Sequence, residues 1–383
     1  MLSRAPDHLG DGIRHVSAAD WNACAGDDNP FVSHDFLMAL EDSGSAVAET
    51  GWAPRHLIVQ DARGAIVAAA PMYLKAHSFG EYVFDQAWAD AFARAGGDYY
   101  PKLQAAVPFT PVAGPRLLVR PEEGEAARVS LIDTLTEIAR RSEVSSLHVT
   151  FSGEAEWRSL GKAGFLRRAG IQFVWPNRGY TCFDDFLGVL SARKRKTIQR
   201  ERRAARDVGT TIRCVLGDEL APRHWDEFFR FYRDTADRKW GYPYLTREFF
   251  AQIGNTMADK IVLIVAESKG VPIAMALNFI GKNALFGRYW GCSGHHPFLH
   301  FELCYYQAIE FAIAHGLGRV EAGAQGPHKL ARGYLPVRTY SAHWIRHEGL
   351  RRAVAAFLTN ERRAIDAEIT ALAKMGPYRG QGD

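Results

Sequence analysis

The sequence is poor in cysteine and in long apolar runs, and each scarcity excludes a class of protein. Its five cysteines are scattered without a Cys-x-x-Cys pair, which excludes a zinc ribbon or thioredoxin motif and favours a reducing compartment. The longest apolar run, Ile261 to Ala266, is far shorter than a bilayer span. The first residues lack the apolar segment of a secretory signal. We therefore expect a cytoplasmic protein without a membrane span.

The net charge is also low, although the chain is long. A charge of +4 on 383 residues is too small to indicate a DNA-binding protein by itself. The 47% apolar and 23% charged residues are typical of a globular protein with enough apolar material for two cores. Length and composition therefore predict two domains and no DNA partner.

Two glycine landmarks recur in the same order in the two halves of the chain. Gly64 and Gly270 each lie between two apolar runs, a pattern that predicts a β-hairpin. Gly164-Phe165 and Gly333-Tyr334 each precede the last predicted strand of their half. The first half has about 37 more residues between its landmarks, which indicates an aromatic-rich insertion near residues 76–107.

This repeat divides the chain into two related α/β domains, each with mixed, mostly antiparallel strands flanked by helices. The turn signal Pro176-Asn177-Arg178-Gly179 marks the boundary. We predict a first domain over residues 1–176 and a second over 177–383. The second contains a basic helix over 191–207 and an amphipathic C-terminal helix over 351–374.

Polar and aromatic side chains follow two neighbouring predicted strands of the second half. Arg288, Tyr289 and Trp290 end the first of these strands, and His300 and Glu302 open the long helix after it. The next predicted strand ends in a polar segment that contains Glu321, Gln325, His328 and Lys329. Because ligands of open α/β sheets bind at the carboxyl ends of strands, we expect these side chains to line one crevice.

Four of these residues are candidate catalytic groups. Glu302, His300 or His328 can act as a general base, and Lys329 can stabilise an oxyanion. The alternative is that Glu302 caps the start of its helix and that the histidines are packing groups. The histidine spacing matches no metal-binding helix pattern, so no metal site is expected.

A run of basic residues opens the predicted basic helix. It consists of Arg193, Lys194, Arg195 and Lys196, and further arginines follow at positions 200, 202, 203 and 206. One interpretation is a solvated helix face, and the other is a contact for the phosphates of a nucleotide-linked substrate or of RNA. No nucleic-acid-binding motif accompanies the run.

The order of predicted elements in each half resembles the GNAT acyltransferase fold, and the chain as a whole resembles the FemAB-like family of N-acyltransferases. The matching segments in the second half are Arg193–Arg203, Tyr232-Arg233-Asp234-Thr235, Lys239-Trp240-Gly241, Gly287–Cys292, His300–Glu302 and Glu321–Gly333. Those in the first half are Tyr100-Pro101-Lys102-Leu103 and Pro108-Phe109-Thr110-Pro111. The resemblance implies two tandem GNAT-like domains. It adds Tyr100, Lys102, Lys239 and Trp240 to the candidate substrate-binding residues.

The resemblance also implies a reaction. Fem-type enzymes transfer an aminoacyl group from tRNA to an amine of a cell-wall precursor, whereas ordinary GNAT enzymes use acyl-CoA. Neither half contains the [QR]xxGx[GA] loop that holds the pyrophosphate of acyl-CoA. The expected function is N-acyl or aminoacyl transfer with acyl-CoA or aminoacyl-tRNA as co-substrate and no bound cofactor. The alternatives are a non-catalytic protein that binds a cell-wall precursor and an RNA-associated protein.

Overall fold

A computed structural model of the chain describes residues 8–206, 209–239, 243–323 and 326–379. Contacts between residues divide the chain into two units. Unit 1 comprises Met1–Gly170 and Arg338–Ala367, and unit 2 comprises Ile171–Val337 and Glu368–Asp383.

The described residues form the following regular elements. The strands are β1 (His8–Gly10), β2 (Trp52–Pro54), β3 (His56–Gln60), β4 (Ile66–Ala70), β5 (Met72–Lys75), β6 (Lys102–Ala105), β7 (Leu118–Val119), β8 (Ser146–Ser152), β9 (Leu166–Pro176), β10 (Thr210–Leu216), β11 (Ile261–Ser268), β12 (Val271–Ile280), β13 (Ala284–Cys292), β14 (Arg319–Glu321) and β15 (Leu335–Ile345). The helices are α1 (Ala18–Ala25), α2 (His34–Asp42), α3 (Gln86–Arg94), α4 (Gly124–Arg141), α5 (Glu154–Lys162), α6 (Phe183–Gly188), α7 (Ala192–Arg206), α8 (Pro222–Lys239), α9 (Arg247–Thr256), α10 (Leu299–Phe301), α11 (Gln307–Ala314) and α12 (Glu348–Lys374).

Unit 1 is built on two groups of paired strands. β1, β3, β4 and β7 form an antiparallel sheet in that order. β2, β5, β6, β8 and the C-terminal half of β15 follow one another in a mixed arrangement, in which β6 and β8 are parallel. Leu131 and Leu135 of α4 are buried in a core with Leu147 and Val149 of β8. The predicted insertion near 76–107 contains α3 and β6.

In unit 2 the strands follow the order β10, β11, β12, β13, β14 and the end of β9. The first four are antiparallel neighbours, and β13 and β14 are parallel. All side chains of the apolar run Ile261–Ala266 in β11 are fully buried, which shows that both faces of this strand are covered. The predicted sequence of strand, two helices, three antiparallel strands, helix and strand is thus confirmed.

Helix α8 packs directly on β13, near the polar segment that ends this strand. A Cβ atom at Gly291 would lie 2.4 Å from the carbonyl oxygen of Phe231 in α8, so glycine is needed for this close approach. Tyr232 of the same helix meets the ring of Tyr289 with centroids 5.3 Å apart. The helix therefore fixes the backbone and one aromatic side chain of β13.

The α/β fold class is confirmed, but the division into units differs from the predicted boundary. Residues 338–367 group with unit 1, although the sequence assigned them to the second domain. The reason is apolar burial, because Leu350 and Leu358 of α12 share a core with Trp88 and Tyr99. Among the described residues, no helix combines the length and the apolar character that a bilayer crossing requires.

Candidate active site in unit 2

The central strands of unit 2 separate at their carboxyl ends. β13 pairs with β14 only over Ala284–Phe286 and then continues to Cys292 beside β12. A register shift after Leu277 pairs Asn278 with Gly287, so one residue of β13 forms a bulge. A cavity of about 100 Å³ lies at this point. Of the residues that the sequence analysis expected in one crevice, Arg288, Tyr289, Trp290 and His300 line this cavity.

Side chains from β12, β13 and the following helix line this cavity, which we call the strand-end cavity. They include Asn278, Arg288, Trp290, His300 and Tyr305. The His300 ring lies 5.1 Å from Trp290 and 5.4 Å from Tyr305, measured between centroids. The Tyr305 hydroxyl lies 2.8 Å from Nε2 of His328, and the two histidine rings are 6.4 Å apart. The structure therefore brings His300, Trp290 and His328 together.

The helix that carries His300 contains a π-helical turn. α10 is followed by this turn over Glu302–Tyr306 and then by α11. Turns of this kind are rare in proteins, but those that do occur are frequently located at functional sites. Within it, Tyr305 lines the strand-end cavity, whereas Glu302 and Tyr306 contact α7. The turn thus separates residues that face the cavity from residues that anchor the helix.

Lys329 is a buried cation next to His328. It lies in a 3₁₀ turn over Pro327–Arg332 and is 2% exposed, and its Nζ donates to the carbonyl oxygen of Gly323 over 2.8 Å. Burial lowers the pKa of Lys329 to about 8. Burial, together with the charges of Arg332 and Lys329, lowers the pKa of His328. At pH 7 the imidazole is therefore neutral, and the amine is largely protonated.

Glu302 does not have the environment of the general base predicted for it. Its carboxylate is fully buried and accepts hydrogen bonds from Nε of Arg202 at 3.1 Å, Nη2 of Arg206 at 2.9 Å and Nε2 of Gln307 at 2.9 Å. A carboxylate surrounded by these donors has little capacity left for a substrate proton. Glu302 is better explained as the counter-ion that anchors α7 to the π turn.

A second buried ion pair, which the sequence analysis did not predict, holds the turn over Pro327–Arg332. Glu201 of α7 accepts from Nη2 of Arg332 at 2.8 and 3.0 Å and from the hydroxyl of Tyr306. The Arg332 guanidinium also lies 3.4 Å from the centre of the Phe301 ring. In the sequence, Glu201 only interrupts a basic run, and the spacing gives no sign of a partner 131 residues away. This pair fixes the loop that bears His328 and Lys329.

With this geometry in place, comparison with known proteins identifies the family. The family model described as peptidoglycan biosynthesis/recognition, FemAB_like, matches residues 12–380. The chain belongs to the FemAB-like family. The resemblance stated from the sequence is thus confirmed. No curated protein sequence matches the chain significantly.

Solved structures similar to this FemAB-like chain include FemX and two bacterial proteins. FemX is 12% identical with a TM-score of 0.56, over 89% of this chain and 99% of FemX. L-PGS from Bacillus licheniformis is 10% identical with a TM-score of 0.50, over 92% of this chain and 98% of that chain. A conserved protein of unknown function from Bacteroides thetaiotaomicron is 10% identical with a TM-score of 0.51, over 90% and 100%. At these identities the likeness shows the fold alone.

The other FemAB-like motif residues of unit 2 have mixed environments. Arg288 lines the strand-end cavity, with its guanidinium 5.0 Å from the Tyr289 ring centre. Glu321 accepts a hydrogen bond from Nε of Arg319 at 2.8 Å, and burial raises its pKa. Trp240 and Gln325 lie outside the described residues, as does the side chain of Lys239.

The basic residues at the start of α7 face solvent to different degrees. Arg193 and Lys196 are exposed, and Lys194 and Arg195 are partly buried. About two turns beyond Lys196, Arg203 and Arg206 border an open cavity of about 470 Å³. The helix therefore presents cations on its outer side and uses Arg202 and Arg206 to hold Glu302 on its inner side.

In unit 1, the two motif residues predicted to bind substrate lie in a buried charge cluster. Lys102 is fully buried and donates to Glu81 at 2.8 Å, to Ser78 at 2.9 Å and to Asp85. The Tyr100 hydroxyl lies 2.7 Å from the Ser78 hydroxyl. Because its three donor positions are occupied, Lys102 is placed to anchor the surrounding loop rather than to bind substrate. In the part of the chain that the structure describes, no group of His, Cys, Asp or Glu is arranged to hold a metal ion.

Proposed function

We propose that this FemAB-like protein transfers an aminoacyl or acyl group from an activated donor to a primary amine, with the reaction at the strand-end cavity. The single observation that carries the proposal is the separation of β13 and β14, which leaves a cavity bordered by His300 and by Tyr305, whose hydroxyl lies 2.8 Å from Nε2 of His328. Membership of a family described for peptidoglycan biosynthesis/recognition supports a cell-wall precursor as the acceptor.

The reaction needs an amine nucleophile, a base that accepts the amine proton and a cation that stabilises the oxyanion. It needs no covalent intermediate with the enzyme. The amine nitrogen attacks the donor carbonyl carbon, a C–N bond forms, and the C–O bond of an aminoacyl-tRNA or the C–S bond of an acyl-CoA breaks. The amine proton passes to a base and then to the leaving oxygen or sulfur. His300 and the neutral His328, which is bonded to Tyr305, are the candidate bases. The buried ammonium of Lys329 is the candidate group that stabilises the oxyanion.

The exposed cations of α7 are proposed to contact the phosphates of the donor. Arg193 and Lys196 lie at the start of the helix, and Arg203 borders the open cavity further along it. Phosphates of tRNA or of CoA are the natural partners of such a row. Contacts of these cations with phosphates do not distinguish the two candidate donors, because tRNA and CoA both carry phosphates.

A transfer assay with matched histidine variants tests the proposal. Labelled aminoacyl-tRNA and labelled acyl-CoA are each incubated with an amine-bearing cell-wall precursor and the purified protein, and the labelled product is measured. We expect His300→Ala to lower the rate by about 10²-fold, the usual scale for a lost general base. His315→Ala is the control, because His315 follows the C-terminal end of α11, 15 residues beyond His300, and its ring bonds the carbonyl oxygen of Phe311 in the same helix.

Two results would contradict the proposal. One is full activity in His300→Ala together with His328→Ala. The other is saturable binding of the precursor without product from either donor, which would favour the non-catalytic binding protein.

A further inference from the structure

Asn278 is a buried polar residue that the reaction described above does not use. It lies on β12 with 1% of its surface exposed, and it lines the strand-end cavity. Its Nδ2 donates to the carbonyl oxygen of Ala276 over 3.2 Å. Its Oδ1 meets no hydrogen-bond donor among the described residues. Burying an acceptor without a donor is costly, so this oxygen is suited to accept a hydrogen bond from a molecule that enters the cavity.

The Ala276 contact decides which end of the amide faces the cavity. A backbone carbonyl can only accept, so the nitrogen of Asn278 must point to it, and the oxygen must point away. Turning the amide over would place two acceptors against each other. The cavity therefore contains a hydrogen-bond acceptor, which favours a ligand that donates a hydrogen bond.

A second acceptor borders the same space because residue 287 is a glycine. A Cβ atom built on Gly287 would lie 3.3 Å from Oδ1 of Asn278 and 3.6 Å from the carbonyl oxygen of Glu321. A carbonyl oxygen has two lone pairs and can accept a further hydrogen bond. A side chain at residue 287 would therefore crowd both oxygen atoms. A group with two N–H bonds fits such a pair of acceptors.

The charge around the cavity selects the neutral form of that group. The guanidinium of Arg288 lines the cavity, and the carboxyl of Glu321, which interacts electrostatically with it, is buried, which raises the pKa of that carboxyl. A neighbouring cation disfavours a second positive charge, so an amine is favoured over an ammonium ion. The aromatic side chains of Trp290 and Tyr305 complete the lining and suit the carbon atoms attached to the amine.

We propose that the space between Asn278 and Gly287 binds the neutral primary amine of the acceptor substrate. This inference rests on the proposed transfer reaction for its chemical meaning. The two N–H bonds point to Oδ1 of Asn278 and to the carbonyl oxygen of Glu321, and the nitrogen lone pair stays free to attack the donor carbonyl. Asn278 is then a catalytic residue that touches the nucleophile and holds it neutral and in line.

Fluorine NMR with trifluoroethylamine tests the site directly. This small amine is only weakly basic, so it is neutral at neutral pH, and trifluoroethanol is its closest relative without an amine. We expect saturable binding of the amine to the wild-type chain and at least about tenfold weaker binding to Asn278→Leu, which lacks the acceptor. Trifluoroethanol is expected to bind more weakly than the amine.

Gly287→Ala is an independent variant in case Asn278→Leu does not fold. It keeps Asn278 but fills the space, with its Cβ 3.3 Å from Oδ1, and we expect it to lose the amine as well. Equal binding of the amine by the wild type and by either folded variant would overturn the inference.

The transfer assay separates this inference from the proposed function. If turnover occurs and Asn278→Leu leaves the KM for the amine unchanged, the inference fails and the proposed function stands. If the amine binds in an Asn278-dependent manner and no donor is turned over, the proposed function fails and the amine site stands.

Discussion

Replacing Glu302 by glutamine should lower stability rather than remove a general base. In the folded protein the carboxylate is fully buried and accepts from Arg202, Arg206 and Gln307. Glutamine has a similar shape but no charge, and its NH₂ group would face donors. The change therefore leaves two guanidinium groups without their shared buried anion.

The expected loss of stability depends on the interaction partners that Arg202 and Arg206 keep when Glu302 is replaced. Removing one partner of a buried ion pair typically costs about 3–5 kcal/mol. Here Arg202 keeps Glu310 at 2.7 Å, and Arg206 is 49% exposed and can be solvated. We therefore expect the free energy of unfolding to fall by about 2–3 kcal/mol in Glu302→Gln. Glu310→Gln is the matched control, because Glu310 bonds the same arginine while 36% exposed, and it should cost less than about 1 kcal/mol.

Urea denaturation followed by circular dichroism measures both variants, with transfer activity recorded on the folded fraction. A loss within about 0.5 kcal/mol in Glu302→Gln, together with a rate lowered about 10²-fold, would refute the counter-ion interpretation and restore Glu302 as a base.

Two further predictions concern phosphate binding and acid stability. Changing Arg193–Lys196 to alanine should weaken binding of a phosphate-bearing donor and make that binding less dependent on salt. If the variant and the wild type bind the donor equally at every salt concentration, the basic run is a solvated helix face. Burial lowers the pKa of His148 to about 3 and that of His343 well below its usual value, so both stay neutral when folded but gain a proton below pH 6.5 when unfolded. Stability should therefore fall by about 1.4 kcal/mol per pH unit between about pH 6.5 and 3 because of His148, and His343 adds a decline of the same sign below about pH 6.5. Urea titrations of His343→Asn should show a shallower decline, and an unchanged slope would contradict the assignment.

The fold class could be predicted because local patterns are consistent with it. The run Ile261–Ala266 predicts a buried strand, and the glycines at 64 and 270 mark hairpins that form where predicted. The boundary near 176 was less accurate, because residues 338–367 join unit 1 through contacts with Trp88 and Tyr99. Burial between segments far apart in sequence leaves no local signal.

The candidate site was predictable in place but not in detail. The sequence put His300, Trp290 and His328 at strand ends, and the structure brings them together. Nothing in the sequence indicated a role for Asn278, which lies inside an otherwise apolar strand. The orphaned oxygen of Asn278 is defined by its surroundings and not by its neighbours in the chain.

The periodicity of the sequence by itself determined an α/β protein with a polar segment after two strands, and its resemblance to known motifs indicated the FemAB-like family. Only the tertiary structure decided which polar groups face the cavity and which are counter-ions. Glu302 and His300 are two residues apart, yet one is held by two arginines and the other borders the cavity. The physical reason is that a helix sends successive side chains in different directions, and packing determines which direction is open.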